Sequence, residues 1–447
     1  MRPEELKKYA AAVPRYTSYP TAPHFKPAID AQTYAGWLRA LKPGTEASLY
    51  VHIPFCKEMC WYCGCSTKVT RRHEPISRYL DALELEIETV AGHMTPDHSI
   101  RHLHWGGGSP SILDPDDTHR LASSIKSHFK LAPDAEFAVE MDPRGLDEAN
   151  IAAFAAAGVN RVSIGVQDFE ESVQKAINRM QSFELTASVV DTFRKHGVRS
   201  VNIDLVYGLP HQTRATVDNT IERVLALAPD RIALFGYAHL PSRIPHQRLI
   251  DTATLPDVKE RFAQANRAAN RLVSAGYVSI GLDHFARPTD PLANGPVARN
   301  FQGYTTDSAD TLIGLGASSI GFLPQGYVQN TAPVADYERR VASGGLATAR
   351  GHALSPDDAA RKFVIERLMC DFHFPAEELR ARFGDVSVPI IEEAQALVES
   401  DTDDLVEPLP SSDGFRITDK GKLFVRSICS VFDTYLGHGT AQHSSGV

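Results

Sequence analysis

The chain has no run of about 18 apolar residues, and its opening residues MRPEELKKYAAAVPRY carry neither an apolar signal stretch nor a lipidation motif. The expectation is a cytoplasmic protein with no membrane partner. Basic clusters are missing too. The net charge is −9 and Lys and Arg are scattered, so the electrostatic footprint of a nucleic-acid binder is absent. A few arginines can still form a local anion pocket inside a globally acidic protein. There is no internal repeat and no low-complexity segment. Cysteine is scarce, with six in 447 residues, yet four of them fall between positions 56 and 65. A disulfide framework would spread its cysteines along a small secreted chain, whereas this crowding points to a metal or a cluster. Cys370 and Cys429, in the apolar contexts ERLMC and FVRSICSVF, read as buried small hydrophobes.

With 43% hydrophobic and 23% charged residues, the chain can bury a large core over two or three domains. Residues 1–45 form an irregular arm rich in Pro, Tyr and Thr, with one helix expected over 30–41. From 46 to 325, short apolar runs alternate with longer amphipathic stretches, the rhythm of a parallel α/β fold. Strands are expected at 48–53, 100–105, 136–141, 161–166, 200–207, 231–237 and 278–281. Helices are expected at 75–91, 116–129, 147–157, 183–196, 215–226 and 258–275.

Along these strands aliphatic residues alternate with polar ones. Helices should cover the aliphatic face, leaving Tyr50, Glu140, Gln167 and Asp204 to look inward. A closed barrel fills its centre with Val, Ile and Leu, so the polar interior predicts a wide or incomplete TIM-like barrel around a polar ligand. An antiparallel sheet with one solvated face is the alternative. Residues 326–447 read as a mostly helical, winged-helix-like domain, with a helix capped at Ser355 and a hairpin across LVEPLPSSDGFRIT. The acidic stretch ESDTDDLVE disfavours DNA as its partner and suggests packing over the barrel mouth.

The segment SLYVHIPFCKEMCWYCGCSTK places C-x3-C-x2-C-x-C directly after the first strand, where a barrel keeps its chemistry. Four-cysteine zinc sites come as two separated C-x2-C knuckles, so this spacing suits zinc poorly. The motif resembles the radical S-adenosylmethionine (SAM) superfamily, whose signature is C-x3-C-x2-C with an aromatic residue, here Tyr62, before the third cysteine. The resemblance implies that Cys56, Cys60 and Cys63 bind three irons of a 4Fe-4S cluster. The fourth iron is then left for SAM, whose reductive cleavage releases a 5′-deoxyadenosyl radical. In HWGGGSP, Gly106, Gly107, Gly108 and Ser109 match the family's loop for the methionine amino group, and Glu140 matches its ribose carboxylate.

A narrower resemblance runs over nearly the whole chain, through PRYTSYPTA, YVHIPFC, GVQDF, INRMQ, NIDLVYGLP, YAHLP, GLDHFARP and NFQGYTT. It is to the family of oxygen-independent coproporphyrinogen III oxidases. It implies that Tyr50, Gln167, Arg179, Asp204, Ala238 and Ile320 also contact one or two SAM molecules. The implied reaction is oxidative decarboxylation of the ring A and B propionates of coproporphyrinogen III to the vinyl groups of protoporphyrinogen IX. Such an enzyme draws electrons from a donor such as a flavodoxin or ferredoxin, and a monomer is expected.

Cys65 lies outside the three-cysteine signature, and ligand, hydrogen-atom donor and no role all stay open for it. Arg15, Tyr16 and Tyr19 are assigned to the substrate, on the expectation that the arm closes over the porphyrinogen. The rival reading is a related haem chaperone, whose family generally lacks the PRYTSYPTA arm and the fourth cysteine. A radical enzyme acting on another carboxylated substrate is the third.

Overall fold

The computed structural model describes residues 8–9, 12–410 and 413–437. The start of the expected arm, the tip of the expected hairpin and the end of the expected C-terminal domain lie outside the described residues.

Twelve strands form one sheet: β1 Glu46–Ile53, β2 Ser99–Gly107, β3 Lys130–Met141, β4 Arg161–Gln167, β5 Ser200–Tyr207, β6 Arg231–Gly236, β7 Val278–Ile280, β8 His284–Ala286, β9 Leu312–Leu315, β10 Ile320–Leu323, β11 Gly326–Asn330 and β12 Thr348–Ala353. Their spatial order is β12-β11-β10-β9-β1-β2-β3-β4-β5-β6-β8-β7. From β9 to β6 every pairing is parallel, and antiparallel strands flank that run on both sides. Among the described residues the two ends are not paired to each other, so the sheet stays open, as the polar interior anticipated.

Helices α1 Ala31–Arg39, α2 Glu74–Gly92, α3 Pro115–His128, α4 Glu148–Ala157, α5 Phe183–Lys195, α6 Arg214–Ala226 and α7 Val258–Ser274 follow the expected rhythm. Their starts are written locally. Asp114, Asp147, Ser182, Thr213 and Asp257 each accept a backbone N–H of the first turn. The period-2 pattern sets which face each strand buries. Val162, Ile164 and Val166 enter the core with Leu49, Val51, Val139 and Ile203, while Ser163 and Gln167 face inward. Ile164 is 0% exposed, and Ile164→Ala would cost about 2–5 kcal/mol.

A carboxyl group lies inside this core, and burial raises its pKa. Glu86 of α2 accepts hydrogen bonds from Gly316 N, the Tyr337 hydroxyl and Asn330 Nδ2, tying the helix to the turn after β9.

The boundary expected at 325 falls inside the β10–β11 hairpin, and the sheet continues to Ala353. Short, glycine-rich strands such as LIGL and IGFL give too weak a pattern to be read from sequence. Beyond the sheet come α8 Pro356–Asp371, α9 Ala376–Phe383, α10 Ser387–Ser400 and a hairpin pairing Val406–Pro408 with Phe415–Ile417. Two short helices, Asp419–Lys422 and Val425–Cys429, follow the hairpin, and Ser355 caps α8 with Asp358 reciprocating. These elements share a second core around Leu368, Phe374 and Phe424, which also takes in Tyr16 and Tyr19 of the arm.

Candidate active site

β1 ends at Ile53, and the chain leaves it as a loop that must satisfy its backbone without a regular element. Phe55–Cys56 pairs with Lys68–Val69, closing the loop at its base. Further donors come from elsewhere: Asn178 Nδ2 to Met59 O at 2.9 Å, Gln247 Nε2 to Tyr62 O at 3.0 Å and His246 Nε2 to Cys63 O at 2.7 Å. Trp61 and Tyr62 pack against the apolar cluster of Ile177, Val206 and Tyr237. Cys56, Cys60, Cys63 and Cys65 are thereby presented to one cavity of about 540 Å³.

Two guanidiniums flank a single sulfur there. Arg144 Nη2 lies 3.4 Å and Arg179 Nη1 3.5 Å from Cys60 Sγ, and both donate to Asp142 Oδ2. Burial pushes the Asp142 carboxyl up, but the two arginines outweigh it and hold the group below its usual range. Cys65 pulls the Cys63 thiol down, its backbone N–H lying 3.4 Å from Cys63 Sγ. Three cysteines opening on one cavity, with two guanidiniums beside Cys60, are a donor set that fits an anionic cluster.

Glu140 on β3 stands opposite. It accepts from His104 Nε2 at 3.1 Å and from Gly107 N at 3.1 Å. Burial raises its carboxyl, yet these two bonds leave it net below the ordinary value, so it is an anion at neutral pH. The glycine loop has no room for side chains. A Cβ on Gly107, at φ +109°, would meet the His52 ring at 2.4 Å, and one on Gly108 would meet the Phe55 backbone at 2.6 Å. Such a cradle lets a ligand approach the main chain.

Gln167 adopts φ +69° at the irregular end of β4, a strained left-handed conformation for a non-glycine residue. Asp204 accepts from Ser163 Oγ and Asn202 Nδ2, and burial pushes it up to about 6.

Of the residues expected at the site, Cys56, Cys60, Cys63, Cys65, Tyr62, Gly107, Gly108, Ser109, Glu140, Gln167, Arg179, Asp204, Ala238 and Arg15 line this cavity. Gly106 lies directly beneath the Glu140 carboxylate. Tyr50 sits one layer back, its ring stacked on His104 at 5.9 Å and its hydroxyl donating to His52 Nδ1 at 3.0 Å. Three assignments do not reach it. Ile320 lies on β10, outside the lining. Tyr16 and Tyr19 are buried in the second core with their hydroxyls on Asp433 and Thr434, because aromatic rings beside an apolar helical unit bury there first. Asp142 and Arg144 were not anticipated. Their signal, the DPR after VEM, is visible only once Arg179 is known to fold beside it.

Residues 50–224 match the Radical SAM superfamily. The chain is 47% identical to the oxygen-independent coproporphyrinogen III oxidase of Bradyrhizobium diazoefficiens, over 97% of each chain. It is 40% identical to that of Pseudomonas aeruginosa, over 99% of this chain and 97% of the other. Among solved structures, the coproporphyrinogen III oxidase HemN from Escherichia coli, described as a radical SAM enzyme, superposes with a TM-score of 0.89 at 39% identity. That match covers 94% of this chain and 98% of HemN.

Proposed function

The chain belongs to the oxygen-independent coproporphyrinogen III oxidase family of radical SAM proteins, and from that premise we propose how its own residues carry out the family's reaction. It is an oxidoreductase that converts the ring A and B propionates of coproporphyrinogen III to vinyl groups. In each round the propionate loses one hydrogen atom to the 5′-deoxyadenosyl radical and one electron to a one-electron acceptor, and CO2 leaves. The observation that carries this reading is 47% identity to a named oxidase over 97% of each chain, combined with a cysteine loop, a glycine cradle and Glu140 facing one cavity. The haem-chaperone reading is not favoured, since its family generally lacks the arm and the fourth cysteine present here.

Cys56, Cys60 and Cys63 would hold the 4Fe-4S cluster, with Arg144 and Arg179 offsetting its negative charge. When bound with SAM, the cluster supplies the electron that releases the 5′-deoxyadenosyl radical. The protein's part is placement and exclusion. Gly107 and Gly108 expose backbone to the methionine end of SAM. Glu140, kept ionised by His104, accepts from the ribose hydroxyls. Gln167, Asp204 and Ala238 line the rest of the wall, with space for one or two SAM molecules.

Beside the cysteine loop, Lys57, Lys68, Arg71 and Arg72 form an exposed basic stretch on an otherwise acidic protein. It suits an acidic one-electron carrier such as a flavodoxin or ferredoxin. A monomer acting in the cytoplasm, without nucleic acid or membrane, completes the proposal; among the described residues no helix is long and apolar enough to cross a membrane.

The test is anaerobic incubation of reconstituted protein with SAM, dithionite and coproporphyrinogen III. Protoporphyrinogen IX with two 5′-deoxyadenosines per product is expected. Stoichiometric haem binding without turnover would instead favour the chaperone.

A further inference from the structure

Next to the main cavity lies a smaller one of about 110 Å³, sharing Arg15, Phe235, Gly236 and Tyr237 with it. Its charged lining comes from distant parts of the chain. Arg15 belongs to the arm, Arg261 to α7, Arg299 to the hairpin Ala298–Asn300/Gly303–Thr305, and Arg426 to the C-terminal unit. Four guanidiniums face one carboxylate, Asp283, whose Oδ1 is already taken by His284 Nδ1 at 2.7 Å.

Arg299 is the most confined, its side chain 4% exposed. It stacks on Tyr304 at 4.3 Å, its Nη2 donates to Arg15 O, and Nη1 lies 3.7 Å from Asp283. Its Nε and Nη1 nevertheless have no hydrogen-bond partner. Arg261 makes no side-chain hydrogen bond or ion pair among the described residues, and burial pulls its pKa down. Burial, reinforced by neighbouring Arg15, also lowers Arg426 to about 10 although it donates to Pro14 O. Donors buried without acceptors are destabilising unless a ligand supplies them, and a planar guanidinium pairs best with a carboxylate.

We propose that this arginine pocket binds a carboxylate of the substrate, holding one propionate arm while another is presented in the main cavity. The inference rests on the porphyrinogen reading above. The pocket is too small for the macrocycle and opens beside Gly236 into the space that is large enough. A substrate with several flexible carboxylate arms can therefore place one on each side of that wall. Ring position is then selected by which arm the arginines hold.

Arg261→Gln is the first variant, because removing an unpaired side chain orphans no partner; Arg299→Lys keeps the charge but loses the planar fork. Affinity of the reconstituted protein for coproporphyrin III is read by fluorescence, with its tetramethyl ester as the uncharged probe. Arg261→Gln should weaken the free acid roughly 10- to 150-fold, with iron content and substrate-free SAM cleavage by dithionite unchanged. The ester should bind the parent no better than the acid binds Arg261→Gln. Parental affinity in both variants, or an ester binding as tightly as the acid, overturns the pocket. If coproporphyrinogen III is not turned over but the acid-over-ester preference holds and is lost in Arg261→Gln, the pocket stands and the reaction assignment fails. If turnover proceeds while both variants bind as the parent, the reverse is true.

Discussion

The two cavities that meet at Gly236 are built on opposite rules. In the larger, each charge has its counterpart from a nearby element: Glu140 has His104, Asp142 has Arg144 and Arg179, and Asp204 has a hydroxyl and an amide. In the smaller, four guanidiniums line the wall with a single carboxylate, Asp283, and of the four only Arg299 comes within ion-pair distance of it. The first is preorganised before any ligand arrives. The second is assembled from four remote segments and leaves Arg299 Nε and Nη1 without acceptors, donors that an incoming anion can satisfy. A site made on one sheet can be finished by that sheet, whereas a site made at a seam depends on the seam holding.

The most severe way to break the contrast is at the cysteines. Cys63→Ala should abolish the brown chromophore and all SAM cleavage, yet leave coproporphyrin III binding at the arginines. Iron analysis and porphyrin fluorescence on one preparation separate the two. Full iron content in the variant would remove Cys63 from the ligand set.

The seam is tested next. Tyr19 is 1% exposed between the arm and the C-terminal core, so Tyr19→Ala should cost about 3–5 kcal/mol of stability, seen as a lower urea midpoint. Iron content should stay at the parental level. An unshifted midpoint would mean the arm is not part of that core.

A third prediction uses pH. Asp204 keeps its proton to about pH 6 in the folded protein but only to about 3.8 when unfolded. Between those values the native state binds more protons, so raising the pH from about 4 to 6 removes stability, roughly 2–3 kcal/mol with cavity water screening part of it. Asp204→Asn should abolish that loss. Its stability relative to the parent should be higher at pH 7 than at pH 4, measured by urea melts at both; an identical difference at the two pH values would put Asp204 in the ordinary range.

The smallest effect is expected at Glu140. Losing charged acceptance of the ribose hydroxyls costs about 1.5–3 kcal/mol, so Glu140→Gln should weaken SAM roughly 10- to 150-fold in an anaerobic titration. The cluster should survive. Unchanged affinity would make Glu140 a structural partner of His104 alone.

The same contrast explains what the sequence disclosed. The strands from β1 to β6, their helices and the cysteine loop were legible because period-2 burial, cap residues and short-range cysteine spacing are local. Strands β9–β12 were not, since four- to six-residue runs containing Gly carry little periodicity. Tyr16 and Tyr19 were placed at the substrate because an arm's composition does not say which surface it covers. Arg261, Arg299 and Arg426 were invisible as a group, for nothing in three isolated arginines announces that α7, a hairpin and the C-terminal unit converge on them. Arg15, assigned to a propionate, does line both cavities.

The arm has one more contact whose meaning lies outside catalysis. Lys26 N donates to Gly351 O at 2.7 Å and Gly351 N returns a bond to Lys26 O at 2.9 Å. Gly351 lies on β12, the last strand of an open twelve-stranded sheet. An open sheet presents unpaired amides and carbonyls at its rim, a template on which another chain can stack. The arm occupies the middle of that rim, and at the opposite rim β7 is only three residues long. A chain trimmed to its cysteine-bearing core would bare this border, and self-association is the expected consequence.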